Sequence, residues 1–232
     1  MRQIVLDTET TGIDPAQGHR VIEIGGVELV DRKLTGRHFH EYINPERDIP
    51  EEAIAIHGIT PDFLQDKPRF AEIADAFFNY IEGAELVIHN APFDMGFLNH
   101  EYRLLKSKRV PLDRHCSVLD TLQLARQKHP GQKNNLDILC KRYGIDNSHR
   151  TLHGALLDAE ILADVYLLMT GGQTSLSLAD EEASREAHNG SAQSVQDLSG
   201  KQLVVPKASD EELARHRDFV SRLVGSGDAQ PW

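Results

Sequence analysis

The order in which strand-like and helix-like patterns follow one another is the feature that most restricts the fold of this chain. Three apolar, β-rich segments come first, over residues 3–9, 21–30 and 38–43, and they indicate a meander of strands. A helical spacing of apolar side chains follows over 70–81, and a short buried strand returns over 86–89. The first half of the chain therefore predicts three strands, a helix and a fourth strand.

The second half of this body has the spacing of helices. Apolar residues recur at helical intervals over 93–105, 117–128, 136–143 and 154–169, and Gly or Pro closes most of these segments. Strands followed by helices predict an α/β or α+β fold, in which helices pack on a mixed sheet with an antiparallel start. We expect one domain over residues 1–170.

The composition changes beyond this domain. Residues 171–200 are rich in Ser, Gln, Glu, Ala and Gly without apolar periodicity, which predicts a flexible tether. A small C-terminal segment, 201–232, follows, with a possible short strand at its start. Ser209 and Glu212 then form a capping-box pattern before an amphipathic helix. That helix either binds a partner or packs back on the domain.

The bulk composition restricts the class of protein. The 232 residues are 40% hydrophobic and 26% charged, without the apolar run of about 18 residues that a membrane span needs and without a signal-peptide pattern, so we expect a cytoplasmic protein. Cys116 and Cys140 are expected to be buried, reduced thiols. The net charge of −11 argues against unaided binding of duplex nucleic acid. Either the ligand is not a polyanion, or its negative charge is neutralised by bound divalent metals or by a basic partner protein.

The first acidic motif lies in the segment VLDTETTG, residues 5–12. On a strand, Asp7 and Glu9 point the same way, with about 7 Å between their Cα atoms. Two adjacent carboxylates repel each other, so a divalent cation between them is one interpretation. The other is that they lie on the solvent face of the strand or cap the turn after it. The pair by itself favours this second interpretation.

A second acidic residue follows the later strand. Asp94, in the segment HNAPFD, is expected in the first turn of the helix that Pro92 opens, beside the end of strand 86–89. Asp94 by itself is explained by the helix dipole, which favours an acid at a helix N-terminus. Metal binding is the alternative.

The third motif is TLHGALLDAEIL, residues 151–162. If a helix begins near Gly154, Asp158 lies one turn in and faces the sheet, which requires a charged partner. His153 stands on the preceding loop, where a loop residue or a helix cap is the simple interpretation. Each acidic residue by itself favours a structural interpretation. Their combination with His153, in this order along the chain, favours a functional site instead.

Together these motifs resemble the DEDDh 3'-to-5' exonucleases over residues 2–169. Five residues carry the resemblance: Asp7, Glu9, Asp94, His153 and Asp158. It implies a ribonuclease H-like fold and a hydrolase that removes 3'-terminal nucleotides as 5'-monophosphates.

The resemblance also implies how these residues act. The four carboxylates would hold two divalent cations, Mg²⁺ with Mn²⁺ as a substitute, at a phosphodiester. Asp7 would be shared, Glu9 and Asp158 would hold the ion that carries the attacking water, and Asp94 would support the second ion. His153 would be the general base, since imidazole can accept a proton at neutral pH.

Substrate contacts are implied for six further residues. The turn with Thr10, Thr11 and Gly12 would offer backbone groups to the terminal nucleotide. Glu52 and His57 would approach its sugar and base, and Phe93 would stack nearby. For His57 the alternative is that it only braces its loop, because Thr60 and Pro61 indicate the N-cap and first residue of a short helix.

The substrate and partners follow from the same resemblance. Proofreading members of the family remove mismatched nucleotides from a single-stranded or frayed DNA 3' end. The segment QTSLSL, residues 173–178, places Gln173, Leu176 and Leu178 as in peptides that bind a sliding clamp. The C-terminal segment would bind the catalytic subunit of a replicative polymerase, and a small third subunit is left open. RNA 3' ends are the alternative substrate, and a non-catalytic scaffold is the third hypothesis.

Overall fold

The computed structural model describes residues 1–148, 152–171 and 209–224. The chain divides into two units, with the first two ranges in one and the last range in the other, and each unit is described by itself. None of the helices in these ranges is long and apolar enough to cross a bilayer. The predicted tether, 171–200, falls outside the described residues from 172 onward, as does the short strand expected near the start of 201–232.

The first unit is built on a five-stranded mixed sheet in the order β3-β2-β1-β4-β5. The strands are β1 Arg2–Thr10, β2 Val21–Val30, β3 Lys33–Tyr42, β4 Glu85–Ile88 and β5 Ser117–Asp120. The first three strands form an antiparallel meander, and β4 and β5 lie parallel to β1. The predicted mixed sheet with an antiparallel start is confirmed, and it brings the carboxyl ends of β1, β4 and β5 to one edge.

Helices cover both faces of this sheet. They are α1 Glu51–His57, α2 Pro61–Leu64, α3 Phe70–Ile81, α4 Ala91–Leu104, α5 Thr121–Lys128, α6 Leu136–Tyr143 and α7 Ala155–Gly171. Helices α3 and α4 pack on the face that carries Ile4 and Leu6. Helix α7 packs on the opposite face, against Val5 and Val27, and α5 and α6 pack against α7. The period-two alternation of β1 therefore supplies two separate cores.

The structure corrects the prediction of one helix over 117–128. Its first four residues form β5, which pairs with β4, and only Thr121–Lys128 is helical. The Asp120 side chain accepts hydrogen bonds from the backbone N–H groups of Leu122 and Gln123, so it is the N-cap at this junction. Apolar residues continue through the junction without a change of spacing, which hid the strand.

Other local predictions are confirmed. Thr60 caps α2 by accepting a hydrogen bond from the Phe63 N–H group, with Pro61 as the first helical residue. Both cysteines are buried. In the second unit, the helix α8 Asp210–Val224 begins at the predicted capping box, in which Ser209 and Glu212 bond each other's backbone N–H groups. Helix α1, by contrast, was not predicted, because its short sequence has no clear apolar face.

A buried ion pair holds the turn after β1 against α4. The Glu101 carboxylate, only 1% exposed, accepts two hydrogen bonds of 2.7 Å from the Arg20 guanidinium. It also accepts one of 3.2 Å from the Val21 N–H group. Because Arg20 in turn bonds Thr11 through its backbone N–H group, this pair fixes both the end of β1 and the helix that begins near Asp94.

Arg20→Ala should lower the free energy of unfolding by about 3–5 kcal/mol, because it leaves a buried carboxylate without its counter-ion. Arg69→Ala is the matched control, since it removes an arginine from an exposed pair with Glu46 and should cost about 1 kcal/mol or less. Urea unfolding followed by circular dichroism measures both. Equal losses in the two variants would contradict the structural role of the buried pair.

Candidate metal centre

The candidate site begins at the carboxyl end of β1. Asp7 and Glu9 lie on one face of this strand, with Thr8 between them on the other. Glu9 is 9% exposed, and Asp7 is half-buried. The register places Gly25 opposite Asp7 and Glu23 opposite Glu9, so these four residues share a face of the sheet.

Gly25 allows α7 to reach this face. A Cβ atom on Gly25 would lie 2.1 Å from the backbone nitrogen of Leu156 and 2.2 Å from the carbonyl carbon of Ala155. Only glycine therefore permits the first turn of α7 to lie directly on β2. Asp158 belongs to this turn, donates its backbone N–H group to the Gly154 carbonyl at 2.8 Å, and is 3% exposed.

Three of the predicted residues form one compact group. Glu9, His153 and Asp158 each offer a ligand atom, and these atoms all lie within 4.8 Å of one another. The His153 Nδ1 atom is 3.4 Å from Asp158 Oδ2, and its side chain is 47% exposed. The backbone of His153 donates to the Ile56 carbonyl at 3.1 Å, which ties the loop before α7 to α1. The imidazole thus stands at the opening of a site whose carboxylates are buried.

Asp94 reaches β1 from the other face of the sheet. It lies in the first turn of α4, after Asn90 in the left-handed conformation with φ 68°. Its Oδ1 atom accepts a hydrogen bond of 2.7 Å from the hydroxyl of Thr8, the residue between Asp7 and Glu9 on β1.

The electrostatics of Asp94 are those of a buried acid. Burial raises the pKa of Asp94 to about 7, and the charge of Asp120 adds to this rise, while the hydrogen bond from Thr8 opposes it. A nearby cation would stabilise the charged form. This carboxyl group therefore fits a position beside a positive charge.

The structure places the five predicted catalytic and metal-binding residues at one edge of the sheet. Glu9, His153 and Asp158 are in mutual contact range, Asp7 shares their face, and Asp94 is connected through Thr8. Buried carboxylate oxygens and one imidazole are a donor set that fits a hard divalent cation. The assignment of ligands to individual residues stays a prediction.

The turn after β1 is ordered by its own side chains. The Thr10 hydroxyl donates to the Gly12 carbonyl at 2.6 Å, and Thr11 Oγ1 lies 3.0 Å from His19 Nδ1. A Cβ on Gly12 would lie 2.4–2.6 Å from the His19 ring, so a larger residue there would displace this ring. This turn therefore presents a fixed backbone beside the candidate metal centre.

The remaining predicted substrate contacts come from α1 and α4. His57 is buried, and burial lowers its pKa, with a smaller effect of His153. Its Nδ1 atom accepts from the Ile59 N–H group at 3.0 Å, so Nε2 carries the proton of the neutral ring and has no hydrogen-bond partner among the described residues. Glu52 is exposed on the same helix, and Phe93 is half-buried against Phe97.

Sequence reasoning missed Glu23, a buried carboxylate on the same face. Its Oε1 atom lies 2.8 Å from His40 Nε2, and its Oε2 atom has no hydrogen-bond partner among the described residues. Glu23 and Gly25 alternate in VIEIGG as Asp7 and Glu9 do in β1, and that pattern was the available signal.

The clamp-binding prediction for 173–178 lies outside the described residues.

The structure also contains an open cavity that does not belong to this site. It has a volume of about 580 Å³ and lies at the opposite edge of the sheet, where Arg2, Glu85 and Ser117 begin β1, β4 and β5. None of the predicted site residues lines it. The carboxyl edge of the sheet is therefore the place where the candidate chemistry is concentrated.

Comparison with known proteins finds relatives over nearly the whole chain. The family model described as exonuclease, RNase_T, matches residues 4–166. DNA polymerase III subunit epsilon of Escherichia coli strain K12 is 53% identical over 233 residues, covering 97% of this chain and 96% of that protein. The same subunit of Rickettsia felis is 51% identical over 225 residues and 97% of both chains.

A solved structure supports the fold. Exonuclease X in complex with 5'-overhanging duplex DNA has a TM-score of 0.53 and 26% identity, over 77% of this chain and 98% of that one. The predicted ribonuclease H-like fold is confirmed. The chain belongs to the exonuclease family and, within it, to the DNA polymerase III epsilon subunits.

Proposed function

We propose that this chain removes mismatched 3'-terminal nucleotides from DNA as the proofreading subunit of DNA polymerase III, and releases 5'-monophosphates. The observation that carries the proposal is the group formed by Glu9, His153 and Asp158, with Asp7 on the same face of the sheet. Sequence identity above 50% to epsilon subunits supports the choice of substrate.

The carboxylates define where cations would bind. Asp7, Glu9 and Asp158 would hold one ion, and Asp7 with Asp94 would hold a second. Mg²⁺, or Mn²⁺ in its place, would supply the positive charge that favours an in-line displacement at the phosphodiester. The protein's own contribution is to keep Glu9 and Asp158 buried and close together before any ion arrives.

His153 is proposed as the general base. Its Nδ1 atom faces Asp158 Oδ2 at 3.4 Å, which orients the ring and would stabilise the imidazolium form. The Nε2 atom would then take the proton from the attacking water. Exposure of this side chain at the opening of the site gives it access to a substrate, and its loop is anchored to α1.

The terminal nucleotide would bind between the turn after β1 and the two helices α1 and α4. Phe93 offers a partly exposed ring for stacking on a base, which accepts any of the four bases. The buried His57 Nε2–H group is an available donor, and Glu52 an available acceptor. Thr10, Thr11 and Gly12 would contribute backbone groups.

Selectivity for a mismatch follows from the substrate as much as from the site. A frayed end is already single-stranded, whereas a paired end must first melt at a cost of a few kcal/mol.

Protein partners would bind the C-terminal part of the chain. Residues 201–232 would bind the polymerase alpha subunit. Residues 173–178 would bind the sliding clamp through Gln173, Leu176 and Leu178. A theta subunit and the cytoplasmic location stay predictions.

A digestion assay tests the proposed function. The full-length chain with Mg²⁺ should shorten a single-stranded DNA oligonucleotide from its 3' end, and a chelator should stop the reaction. Asp7→Ala should abolish hydrolysis while leaving the thermal unfolding transition near that of the wild type. Equal digestion of a matched RNA oligonucleotide would contradict the DNA assignment, and full activity in Asp7→Ala would contradict the metal assignment.

The role of His153 is separable from metal binding. If it is the base, His153→Ala should lower kcat by about 10²–10⁴-fold, while calorimetry shows Mn²⁺ affinity close to that of the wild type. The geometry also allows His153 as a ligand, and in that case Mn²⁺ affinity would fall together with kcat. His100→Ala, on α4, controls for the loss of an imidazole elsewhere. Unchanged kcat in His153→Ala would exclude both roles.

A further inference from the structure

An open cavity of about 440 Å³ has no role in the site described above. Three parts of the chain line it: His89 directly after β4, Leu122 and Arg126 on α5, and the loop 132–135 before α6. The cavity therefore lies where β4 and β5 end, at the carboxyl edge of the sheet.

The strand register relates this cavity to Asp7. Leu6 pairs with Ile88, and Ile88 pairs with Asp120, so His89 continues β4 at the level of Asp7. Aligned residues of parallel strands point to the same face, which here is the face covered by α7. Because β4 lies between β1 and β5 and neighbouring strands are about 4.8 Å apart, β5 runs about 10 Å from β1. A strand of nucleic acid held at Asp7 would pass close to this cavity.

The loop that closes the cavity is rigidly built. Asn134 is 5% exposed, and its amide donates to the carbonyls of His129 and Gln132 at 3.3 and 3.0 Å. The Arg142 guanidinium donates to Asn134 Oδ1 at 2.8 Å, to Gln132 Oε1 at 2.9 Å and to the Lys133 carbonyl at 3.0 Å. These bonds fix the backbone of Lys133 at the rim of the cavity.

The cavity is basic in a chain whose net charge is −11. Arg126 and Lys133 line it, no acidic side chain does, and no ion pair joins either cation to another of the described residues. Two acids lie near the lining residues in sequence. Asp120 Oδ1 already accepts from the backbone N–H groups of Asn90, Leu122 and Gln123, and Asp137 Oδ1 accepts from the Asn147 side-chain amide. His89 bonds the Thr121 hydroxyl through Nδ1 at 3.0 Å.

We propose that this cavity binds a backbone phosphate of the single-stranded DNA segment upstream of the terminal nucleotide, with Arg126 and Lys133 as its cationic contacts. The inference rests on the proposed function and names where the substrate strand leaves the metal centre. Phosphate contacts position a strand without reading its sequence, as a proofreading site requires. They also offset the repulsion between DNA and this acidic chain.

The test is a binding experiment that does not depend on hydrolysis. Anisotropy of a 5'-labelled ten-residue oligothymidylate, in chelator and at low salt, gives the Kd of the full-length chain. The double variant Arg126→Gln/Lys133→Gln should raise Kd about tenfold or more. It should also reduce the slope of log Kd against log salt concentration by about 1.4, because each lost contact to a single strand removes about 0.7.

A matched control removes the same charge elsewhere. Lys128→Gln/Lys141→Gln changes two exposed lysines on α5 and α6, neither of which lines the cavity. A Kd and a salt slope for the cavity variant equal to those of this control would overturn the inference. Hydrolysis of the same oligonucleotide with Mg²⁺ is recorded in parallel. If the wild type binds the oligonucleotide but does not hydrolyse it, the proposed function is refuted. The comparison of Kd values still decides the inference about the cavity.

Discussion

Repulsion between carboxylates held close together is the constraint on which the rest of the site depends. Ligand atoms of Glu9 and Asp158 lie within 4.8 Å of each other, and both side chains are almost fully buried. At an effective dielectric constant of about 20, two unit charges at this distance repel by about 3–4 kcal/mol. Asp7 and Glu23 on the same face, and Asp94 behind Thr8, add to this negative potential. A divalent cation bound between the carboxylates would replace this repulsion with attraction, so the repulsion favours cation binding.

The backbone imposes this proximity, so the acids cannot move apart to relieve it. Asp7 and Glu9 are fixed by the pairing of β1 with β2. Asp158 is fixed because Gly25 lets α7 lie against the sheet. The Arg20–Glu101 pair ties the end of β1 to α4. The site is therefore preorganised by packing on both faces of one sheet, and such a site loses little entropy when a cation and a phosphate bind.

Much of this site was predictable from sequence because its residues belong to local patterns. An acid pair at the end of an apolar strand, an Asp in the first turn of α4 and the pair His153 and Asp158 around the start of α7 each have a short-range signature. Glu23 and Gly25 alternate in β2 as the acids do in β1, but their place beside Asp7 and Glu9 depends on the register between the strands. The bond from Thr8 to Asp94 depends on how α4 packs on the sheet. Strand β5 was missed because its apolar residues run into α5 without a change of spacing, and only the N-cap Asp120 marks the junction.

Crystals soaked in Mn²⁺ test the central claim most directly, through anomalous difference density at the carboxyl end of β1. The account predicts two peaks about 3.5–4 Å apart, one bounded by Asp7, Glu9 and Asp158 and the other between Asp7 and Asp94. Ordered carboxylates with no anomalous density between them at saturating Mn²⁺, or peaks only at another part of the surface, would contradict it.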